Sequence, residues 1–268
     1  MRPTPDQKAG DTVGRHQRSG TGVRRVMYPI GVATVPLVAR EELTPRMLRL
    51  VLRGPALAGF HSYQADDHIK IVFPDQDGTK RVPVRNDQLM LDWPHPLPLT
   101  RDYTVRHYAD NTLTLDVVRH DGGIASAWAT SVEVGAEVTI AGPPGAKTFR
   151  YTHDHYVLAV DATGLPAAAR FLADAPASST AHLVVEADEE AEHGYPLPDR
   201  DGVEVVRLVR DGTRSALADT VRGLSVPPDT FLFAAGEADD IKPLRSWPRE
   251  QASITGYWKR GVAGLERE

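Results

Sequence analysis

The sequence predicts a small antiparallel β-barrel followed by an α/β domain with a parallel sheet. Before about residue 150, short apolar runs alternate with turn residues, a pattern typical of barrels. From about residue 155, strand-like and helix-like segments alternate, which indicates a parallel sheet. The expected boundaries are a tail over residues 1–26, a barrel domain over residues 27–150 and an α/β domain over residues 151–268.

The composition is that of a globular protein, and it excludes several classes of cofactor. The 268 residues are 41% hydrophobic, and the formal net charge of −5 argues against a general nucleic-acid binder. Because cysteine is absent, the chain has no disulfide, thiolate zinc site, iron–sulfur cluster or covalent c-type haem. Redox chemistry would need a non-covalent organic cofactor, and a reducing cytoplasm is the expected location.

Neither a membrane span nor an export signal is expected. No apolar run reaches the ~18 residues that a spanning helix requires. Arg24-Arg25 precedes a fairly apolar run, as in a twin-arginine signal, but Pro29 and Pro36 interrupt that run and no small-residue cleavage site follows. The segment is therefore expected to belong to the fold.

The first half of the chain is predicted to form a tail, several strands and one long loop. Residues 1–26 have almost no large apolar side chain and are expected to be flexible. Strands are predicted at residues 32–35, 47–52 and 68–73. Four prolines between residues 76 and 100 forbid a central strand, so a loop or frayed hairpin is expected, which either packs on the barrel or shapes a pocket.

Arg101-Asp102-Tyr103-Thr104-Val105-Arg106 has the side chains of a flavin-binding strand. Pleating places Arg101 and Tyr103 on one face, where a guanidinium suits phosphate oxygens and a phenol ring suits an aromatic ring system. The Thr104 hydroxyl suits a ring nitrogen. Strict alternation places the Thr104 side chain on the face opposite Tyr103. Either the strand twists at Thr104, or the Thr104 backbone N–H contacts the ring nitrogen instead of the hydroxyl. The alternative is an edge strand with solvated arginines and a packed tyrosine.

The segment that starts at His120 leads through paired glycines into a predicted helix. Gly123 at the helix start brings backbone N–H groups and the positive end of the helix dipole close to an anion. A pyrophosphate would fit there, with Ser126 adding a hydroxyl beside Ala125. The alternative is a plain strand-to-helix turn.

In the α/β domain, candidate ligand positions lie at strand ends. Strands are predicted at residues 156–160, 181–187, 203–209, 231–235 and 253–256, with helices at 167–172, 214–224 and 238–247. Ligands bind at the carboxyl ends of parallel strands, and Asp161, Thr163, Gly236 and Glu237 fall at such ends. No G-x-G-x-x-G fingerprint is present. His153-Asp154-His155 is interpreted as a linker with solvated imidazoles, and no metal site is expected.

Taken together, these stretches resemble the siderophore-interacting protein family, ferric-siderophore reductases related to the ferredoxin–NAD(P) reductase superfamily. The match runs from about residue 28 to residue 262. The matching elements are Thr44-Pro45-Arg46-Met47; Asp66-Asp67-His68; Arg101, Tyr103 and Thr104; Gly123, Ala125, Ser126, Trp128 and Ala129; Asp161, Thr163, Leu165, Pro166 and Ala167; Ala235-Gly236-Glu237; and Gly256-Tyr257-Trp258-Lys259 with Gly261.

The resemblance implies a ferredoxin reductase-like protein, with a six-stranded antiparallel FAD-binding barrel followed by a parallel-sheet nicotinamide-binding domain. It implies FAD as cofactor and NADPH or NADH as electron donor. The implied FAD contacts are Arg101 to phosphate, Tyr103 and Thr104 to the flavin, and His120, Gly123, Ala125 and Ser126 around the pyrophosphate. The implied nicotinamide contacts are Asp161, Thr163, Gly236 and Glu237, and Lys259 would help to bind the siderophore. By their charge, Arg260 and Lys147 are expected to add attraction for an anionic complex; the alternative for all three cations is a solvated surface.

The expected function is a flavin-dependent reductase that passes electrons from NAD(P)H through FAD to iron(III)-siderophore complexes and releases iron(II). No catalytic acid or base is expected, because outer-sphere electron transfer needs none. Two alternatives remain open: a general NAD(P)H-flavin or quinone reductase of the same fold, and a non-catalytic ferric-siderophore-binding protein. The partner is expected to be a small-molecule ferric siderophore, with no nucleic acid, and the chain is expected to be a monomer.

Overall fold

The computed structural model describes residues 4–120, 122–212 and 214–262. The chain divides into two compact units. The first comprises the described residues up to Val13 together with residues 25–42 and 46–146. The second comprises residues 14–24, 43–45 and the described residues from Lys147 onward. Each unit has its own hydrophobic core.

The first unit is built around a closed barrel of six strands. The elements up to residue 148 are α1 (Pro5–Ser19), β1 (Arg24–Met27), β2 (Val32–Thr44), β3 (Met47–Arg53), β4 (His68–Val72), β5 (Val84–Arg85), β6 (Leu91–Asp92), β7 (Thr100–Ala109), β8 (Thr112–Val118), α2 (Ile124–Ser131), β9 (Glu137–Ala141) and β10 (Gly145–Thr148). Parts of α1, β1, β2 and β10 belong to the second unit. The barrel strands follow the order β2-β3-β8-β7-β4-β9. The pairs of β3 with β8 and of β7 with β4 and β8 are antiparallel. The predicted six-stranded antiparallel barrel is confirmed.

The barrel interior is filled by residues that alternate along the strands. In the β3–β8 pair, Leu50 lies opposite Leu115 and Leu52 lies opposite Leu113, and all four side chains are buried. Alternate residues of a strand point to the same face, so each strand presents one apolar row to the interior. This alternation is the pattern on which the barrel prediction rested.

The N-terminal segment differs from the prediction. Residues 1–26 were expected to be a flexible tail, but α1 occupies most of that stretch and β1 follows it; residues 1–3 lie outside the described part of the chain. Ala9 and Val13 are buried against a cluster that includes Tyr28 and Tyr63. They are four residues apart and so share a helix face, and two small side chains suffice because the aromatic surface is supplied by the barrel unit.

Residues 76–100 form a loop with one short hairpin. Strands β5 and β6 pair through Val84 opposite Asp92 and Arg85 opposite Leu91. The hairpin is tied back to the unit by a backbone hydrogen bond from Ile30 to Leu89. Because these strands are two residues long, most of the segment is irregular, as its prolines predict.

The second unit contains a five-stranded sheet in which all four strand pairs are parallel. The elements after residue 148 are β11 (His155–Asp161), α3 (Leu165–Asp174), β12 (Thr180–Ala187), β13 (Val203–Val209), α4 (Leu217–Gly223), β14 (Phe231–Glu237), α5 (Ala238–Ile241) and β15 (Ala252–Trp258). The strand order in the sheet is β13-β12-β11-β14-β15. The predicted parallel sheet is confirmed. The helix predicted at 238–247 is shorter, because a 3-10 helix at Lys242–Ser246 replaces its second half around Pro243.

None of the helices in residues 4–120, 122–212 and 214–262 combines the length and the hydropathy of a membrane-spanning helix.

Candidate functional site

Strand β7 carries the first group of candidate residues. Arg101 lies opposite Ile71 and Tyr103 opposite Ile69 on β4, and both candidate side chains are half-buried. Asp102, one position away, forms an ion pair of 3.0 Å with Lys70. Arg101 and Tyr103 therefore lie on one face of β7. Asp102, whose charge is compensated by Lys70, lies on the other face.

Arg101 has no carboxylate partner among the described residues. Its guanidinium donates one hydrogen bond, 2.7 Å long, to the carbonyl oxygen of Thr100. An arginine offers five N–H donors in a planar fork, so most of its donors are left for a ligand. The arrangement suits an anion such as phosphate.

Tyr103 contacts the apolar core of the barrel while remaining half-buried. Burial raises the pKa of its phenol well above the ordinary value, so the ring is neutral at any physiological pH. A neutral, immobilised aromatic ring is suited to pack on another ring system.

Thr104 is buried and lies opposite His68. The register with β4 is regular from Thr100 to Thr104, and the irregularity in β7 comes only between Val105 and His107, in its pairing with β8. The side chain of Thr104 thus stays on the face opposite Tyr103. The sequence allowed a flavin contact through either the hydroxyl or the backbone N–H of Thr104. This register is compatible with the backbone N–H.

Arg106 ends the flavin-binding stretch predicted from the sequence, but no site role was assigned to it there. It lies at the β7 irregularity, is half-buried, and its Nε has no hydrogen-bond partner among the described residues. A buried guanidinium nitrogen without a partner is costly, which makes Arg106 a second cation available to an anionic ligand. Only the tertiary structure reveals this, because the strand irregularity leaves no mark in the residue pattern.

The loop between β8 and α2 is held by a contact between two predicted site residues. The backbone N–H of His120 donates to Ser126 Oγ at 2.9 Å, which leaves the Ser126 proton for a further acceptor. Gly123 is the residue before α2, and a Cβ on it would overlap the His120 imidazole. Gly122 has a φ of 76°, a conformation that favours glycine. Gly122 is thus favoured by its backbone conformation, whereas a side chain at Gly123 would require the exposed His120 ring to move.

The donors in the barrel unit fit a ligand with phosphate and an aromatic ring system. Arg101 and Arg106 supply cations and Tyr103 supplies a ring, all from β7. Ala125 and Ser126 are buried in the first turn of α2, whose N–H groups are suited to an anion. Strand β7 pairs with β8, which leads into that helix, so both groups belong to one continuous part of the unit.

One motif of the resemblance is structural. The Asp67 carboxylate accepts hydrogen bonds from the backbone N–H of Tyr63 at 2.6 Å and of Gln64 at 3.0 Å, and from the hydroxyl groups of Ser62 and Tyr28. These contacts organise the turn that leads into β4. Asp67 is buried, so its carboxylate depends on these donors.

In the second unit, Asp161 lies at the carboxyl end of β11 and accepts four hydrogen bonds. Its Oδ1 accepts from the Thr163 N–H at 2.8 Å and hydroxyl at 2.6 Å. Its Oδ2 accepts from the Glu237 N–H at 2.8 Å and the Trp258 indole at 2.7 Å. Burial raises the pKa of this carboxyl, while the four donors act in the opposite direction.

Gly236 fits against Asp161 because it lacks a side chain. Its φ is 155°, and a Cβ would lie 2.7 Å from the Asp161 carboxyl carbon. Gly164 is similarly constrained, since a Cβ there would lie 2.6 Å from the Ala235 carbonyl oxygen. The ends of β11 and β14 are therefore packed together, and Asp161, Thr163, Gly236 and Glu237 form one cluster.

Glu237 is buried and orders the chain that follows two strands. Its Oε2 accepts from the backbone N–H of Asp239 at 2.7 Å and of Asp240 at 2.9 Å, which caps α5. Its Oε1 accepts from the backbone N–H of Arg260 at 3.0 Å, after β15. Both oxygens of the Glu237 carboxylate thus accept hydrogen bonds from backbone groups of the second unit.

Each of the three predicted substrate-binding cations has a partner in this unit. Lys259 Nζ lies 3.3 Å from Asp239 Oδ2, and Lys147 Nζ lies 3.5 Å from the Thr255 hydroxyl. The Arg260 guanidinium lies 2.5 Å from Asp240 Oδ2 and 5.7 Å from the centre of the Trp258 ring. Lys259 and Arg260 follow β15 and adjoin the Asp161 cluster through Trp258 and Glu237, whereas Lys147 contacts the middle of that strand.

The interpretation of His153 and His155 as solvated is wrong. Both imidazoles are buried: His153 Nδ1 lies 3.0 Å from the Asp229 carbonyl oxygen, and His155 Nε2 lies 2.8 Å from His182 Nδ1. Burial lowers the pKa of both imidazoles. Apolar residues around them, including Phe231 beside His153, account for the burial. No group of three metal-ligating side chains occurs in the part of the chain that the structure describes.

Comparisons with known proteins cover both units. A family model described as a siderophore-interacting FAD-binding domain matches residues 36–147, and one described as a siderophore-interacting protein matches residues 153–261. The chain is 30% identical over 241 residues to the ferric vibriobactin reductase ViuB of Vibrio cholerae serotype O1, covering 84% of this chain and 88% of that protein. It is 30% identical over 251 residues to the NADPH-dependent ferric-chelate reductase of Escherichia coli K12, covering 88% and 96%.

Solved structures agree with these matches. A siderophore utilization protein from T. fusca superposes with a TM-score of 0.84 at 33% identity, covering 91% of this chain and 98% of that chain. A ferredoxin NADP+ reductase from Neisseria gonorrhoeae with bound FAD and NADP has a TM-score of 0.59 at 10% identity, covering 85% and 99%, and shows the fold alone. The ferredoxin reductase-like fold class is therefore confirmed.

Proposed function

This chain belongs to the siderophore-interacting protein family, and from that premise we propose that it is an NAD(P)H-dependent, flavin-containing reductase of iron(III)-siderophore complexes. We assign FAD binding to residues 27–150, and nicotinamide and siderophore binding to residues 151–268. The proposal includes a monomeric protein that works in the cytoplasm. The relatives named as ferric vibriobactin reductase and NADPH-dependent ferric-chelate reductase support it.

One observation carries the proposal most directly. Arg101, without a carboxylate partner among the described residues, lies two positions from the half-buried ring of Tyr103, within the segment matched by the FAD-binding domain. A cation for phosphate next to an aromatic surface is what a flavin nucleotide requires.

The barrel residues have distinct roles in holding FAD. Arg101 and Arg106 would pair with phosphate oxygens, and Tyr103 would offer its ring to the isoalloxazine. The backbone N–H of Thr104 would be the donor to a ring nitrogen. The turn from His120 through Gly123 to Ser126 presents the start of α2 and a hydroxyl to the pyrophosphate, with Ala125 small enough to allow a close approach.

In the second unit, the Asp161 cluster forms the surface that receives the nicotinamide. Both oxygens of the Asp161 carboxylate accept hydrogen bonds within the unit, so this side chain orders the strand ends. Because the Asp161 side chain is occupied, the backbone near Thr163 and Gly236 is the part that would contact the nicotinamide nucleotide. Glu237 holds the segment that carries Lys259, and Lys259, Arg260 and Lys147 receive the ferric chelate.

The iron is substrate and needs no protein ligand. FAD, when bound, supplies the conversion of a two-electron donor into one-electron transfers. Overall, one NAD(P)H is oxidised to NAD(P)+ with release of one proton, and two iron(III) complexes are reduced to iron(II). Hard oxygen donors bind iron(II) less tightly than iron(III). The metal therefore dissociates, and the chelator is not destroyed.

An absorbance experiment on the pure protein tests this proposal. The protein is loaded with FAD under anaerobic conditions and treated first with NADH or NADPH, and then with an iron(III) siderophore in the presence of an iron(II)-specific chelator. We expect the yellow absorbance to bleach and then to return as iron(II) appears. If the yellow absorbance returned with free flavin or quinone but with no iron(III) chelate, a general reductase would be favoured. If neither NADH nor NADPH bleached the absorbance, a siderophore-binding protein would be favoured.

A further inference from the structure

The cations at the carboxyl edge of the second unit are held by a larger number of carboxylates. Lys259 pairs with Asp239, and Arg260 pairs with Asp240 and Glu237. Behind them, Arg210 lies 2.8 Å from both Glu186 and Asp240 and 3.2 Å from Asp188. Asp240 thus joins Arg210 to Arg260.

The network of ion pairs at this edge carries a net negative charge. Three cations, Arg210, Lys259 and Arg260, form ion pairs with five carboxylates, which gives the network a formal balance of minus two among the described residues; Lys147, which contacts the Thr255 hydroxyl, lies outside it. The side chains of Glu186 and Glu237 are 1% exposed and that of Asp240 is 10% exposed. Buried charges are screened less than exposed ones, so added salt weakens this field without abolishing it.

Only part of the positive charge is accessible to a ligand. The Arg210 side chain is 9% exposed and is surrounded by three carboxylates. The Lys259 and Arg260 side chains are 42% and 37% exposed, and each shares its charge with an aspartate. A polyanion at this edge would gain little attraction from Lys259 and Arg260, because each is paired with an aspartate. The carboxylates around Arg210 would repel it.

Ferric siderophores differ in charge according to their donor groups. Each catecholate carries two negative charges, so an iron(III) tris-catecholate is a trianion. Each hydroxamate carries one, so an iron(III) tris-hydroxamate is neutral, and it becomes a cation where the siderophore has a protonated amine. The substrates of the proposed reaction therefore separate by charge.

We propose that this edge selects neutral or cationic iron(III) tris-hydroxamates over trianionic tris-catecholates, with Asp239 as a specificity-determining residue. The inference rests on the proposed function, because it concerns the chelate that the reductase receives. A trianion is repelled by the net negative edge, whereas a neutral complex is indifferent to it and a cation is attracted. Asp239 contributes by compensating Lys259, the most exposed cation of the group.

Gallium(III) complexes test the proposal without redox chemistry. Gallium(III) has the charge of iron(III) but is not reduced under these conditions, so binding is measured apart from reduction potential. Calorimetry on the FAD-loaded protein would compare a gallium tris-hydroxamate with a gallium tris-catecholate. At low ionic strength we expect Kd for the trianion to be about tenfold higher or more. Added salt is expected to tighten trianion binding and to leave the neutral complex unchanged.

A matched pair of variants isolates Asp239. Asp239→Asn releases Lys259 and is expected to lower Kd for the trianion about threefold, with Kd for the neutral complex within about twofold of its original value. Asp219→Asn is the control: it also removes one negative charge from an exposed ion pair, with Arg222, on α4. It is expected to change neither Kd.

Two results would overturn the proposal: tighter binding of the trianion than of the neutral complex at low salt, or weakening of trianion binding by salt. Equal effects of Asp239→Asn and Asp219→Asn would overturn the role of Asp239. Failure of the proposed function looks different, because then no iron(III) chelate of either class would oxidise the reduced flavoprotein.

Discussion

The Trp258 indole Nε1 donates a hydrogen bond of 2.7 Å to Asp161 Oδ2, although the two residues are 97 positions apart. Asp161 ends β11 and Trp258 ends β15, and β14 lies between these strands in the sheet. The hydrogen bond therefore joins the ends of two strands that are not neighbours. It also fixes the ring beneath the Arg260 guanidinium.

Removal of the Asp161 carboxylate should strongly destabilise the protein. Asp161→Ala leaves the N–H groups of Thr163, Glu237 and Trp258 without their acceptor, and each unpaired buried donor costs about 1–3 kcal/mol. We expect the free energy of unfolding, measured with urea, to fall by about 3 kcal/mol or more. Trp258→Phe removes one donor and should cost less than Asp161→Ala; the reverse order would contradict this account.

Gly236 should not tolerate a side chain. Gly236→Ala places a Cβ 2.7 Å from the Asp161 carboxyl carbon at a backbone φ of 155°. We expect a loss of about 2 kcal/mol or more in the free energy of unfolding, visible as a lower Tm. The matched control is Gly223→Ala, at the end of α4, where a Cβ would have no neighbour within 4 Å. A Gly236→Ala protein as stable as Gly223→Ala would show that the strand ends are not packed as described.

The buried imidazole of His155 should make the protein less stable in mild acid. Burial and the neighbouring His182 lower the pKa of His155, so the folded protein binds a proton at this site less readily than the unfolded chain does. This stability is present above the ordinary histidine pKa of about 6.5 and is lost as pH falls through the lowered value. Urea unfolding between pH 7.5 and about pH 5 should show this fall.

His155→Gln should reduce that pH dependence, because glutamine does not titrate. The exposed His107 provides the control, and His107→Gln should leave the slope unchanged. His153 is buried with a lowered pKa as well, so part of the slope should persist in His155→Gln. An unaltered slope in His155→Gln would refute the assignment.

Loss of Arg101 should weaken FAD binding without unfolding the barrel. A charge-assisted hydrogen bond to phosphate contributes about 1.5–3 kcal/mol, so Arg101→Ala should raise Kd for FAD about tenfold or more, as measured by quenching of flavin fluorescence. The control is Arg53→Ala, which removes an exposed arginine that donates to Thr112. Equal FAD affinity in Arg101→Ala and Arg53→Ala would place the phosphate elsewhere.

Much of the fold was predictable because its cause is local. Apolar residues at every second position, as in Leu48, Leu50 and Leu52 of β3, identify a strand with one buried face. The candidate residues on β7 and at the strand ends near Asp161 and Gly236 could likewise be named from residue type and position along predicted strands.

Interactions between distant segments were not predictable in this way. Helix α1 was expected to be flexible, because its sequence does not show that Tyr28 and Tyr63 cover Ala9 and Val13. Arg106 was assigned no role, since only the structure shows that its buried Nε has no hydrogen-bond partner among the described residues. His155 was expected to be solvated, since its partner His182 comes from another strand.

The sequence by itself determined the two-part architecture and the strand positions of the candidate residues, because side-chain alternation and turn residues act between near neighbours. The tertiary structure alone decided which charges compensate one another. Lys259 meets Asp239, Arg260 meets Asp240, and Asp240 meets Arg210 only after parallel strands bring their carboxyl ends to one edge. Electrostatic energy depends on distance in space, and distance along the chain does not specify it.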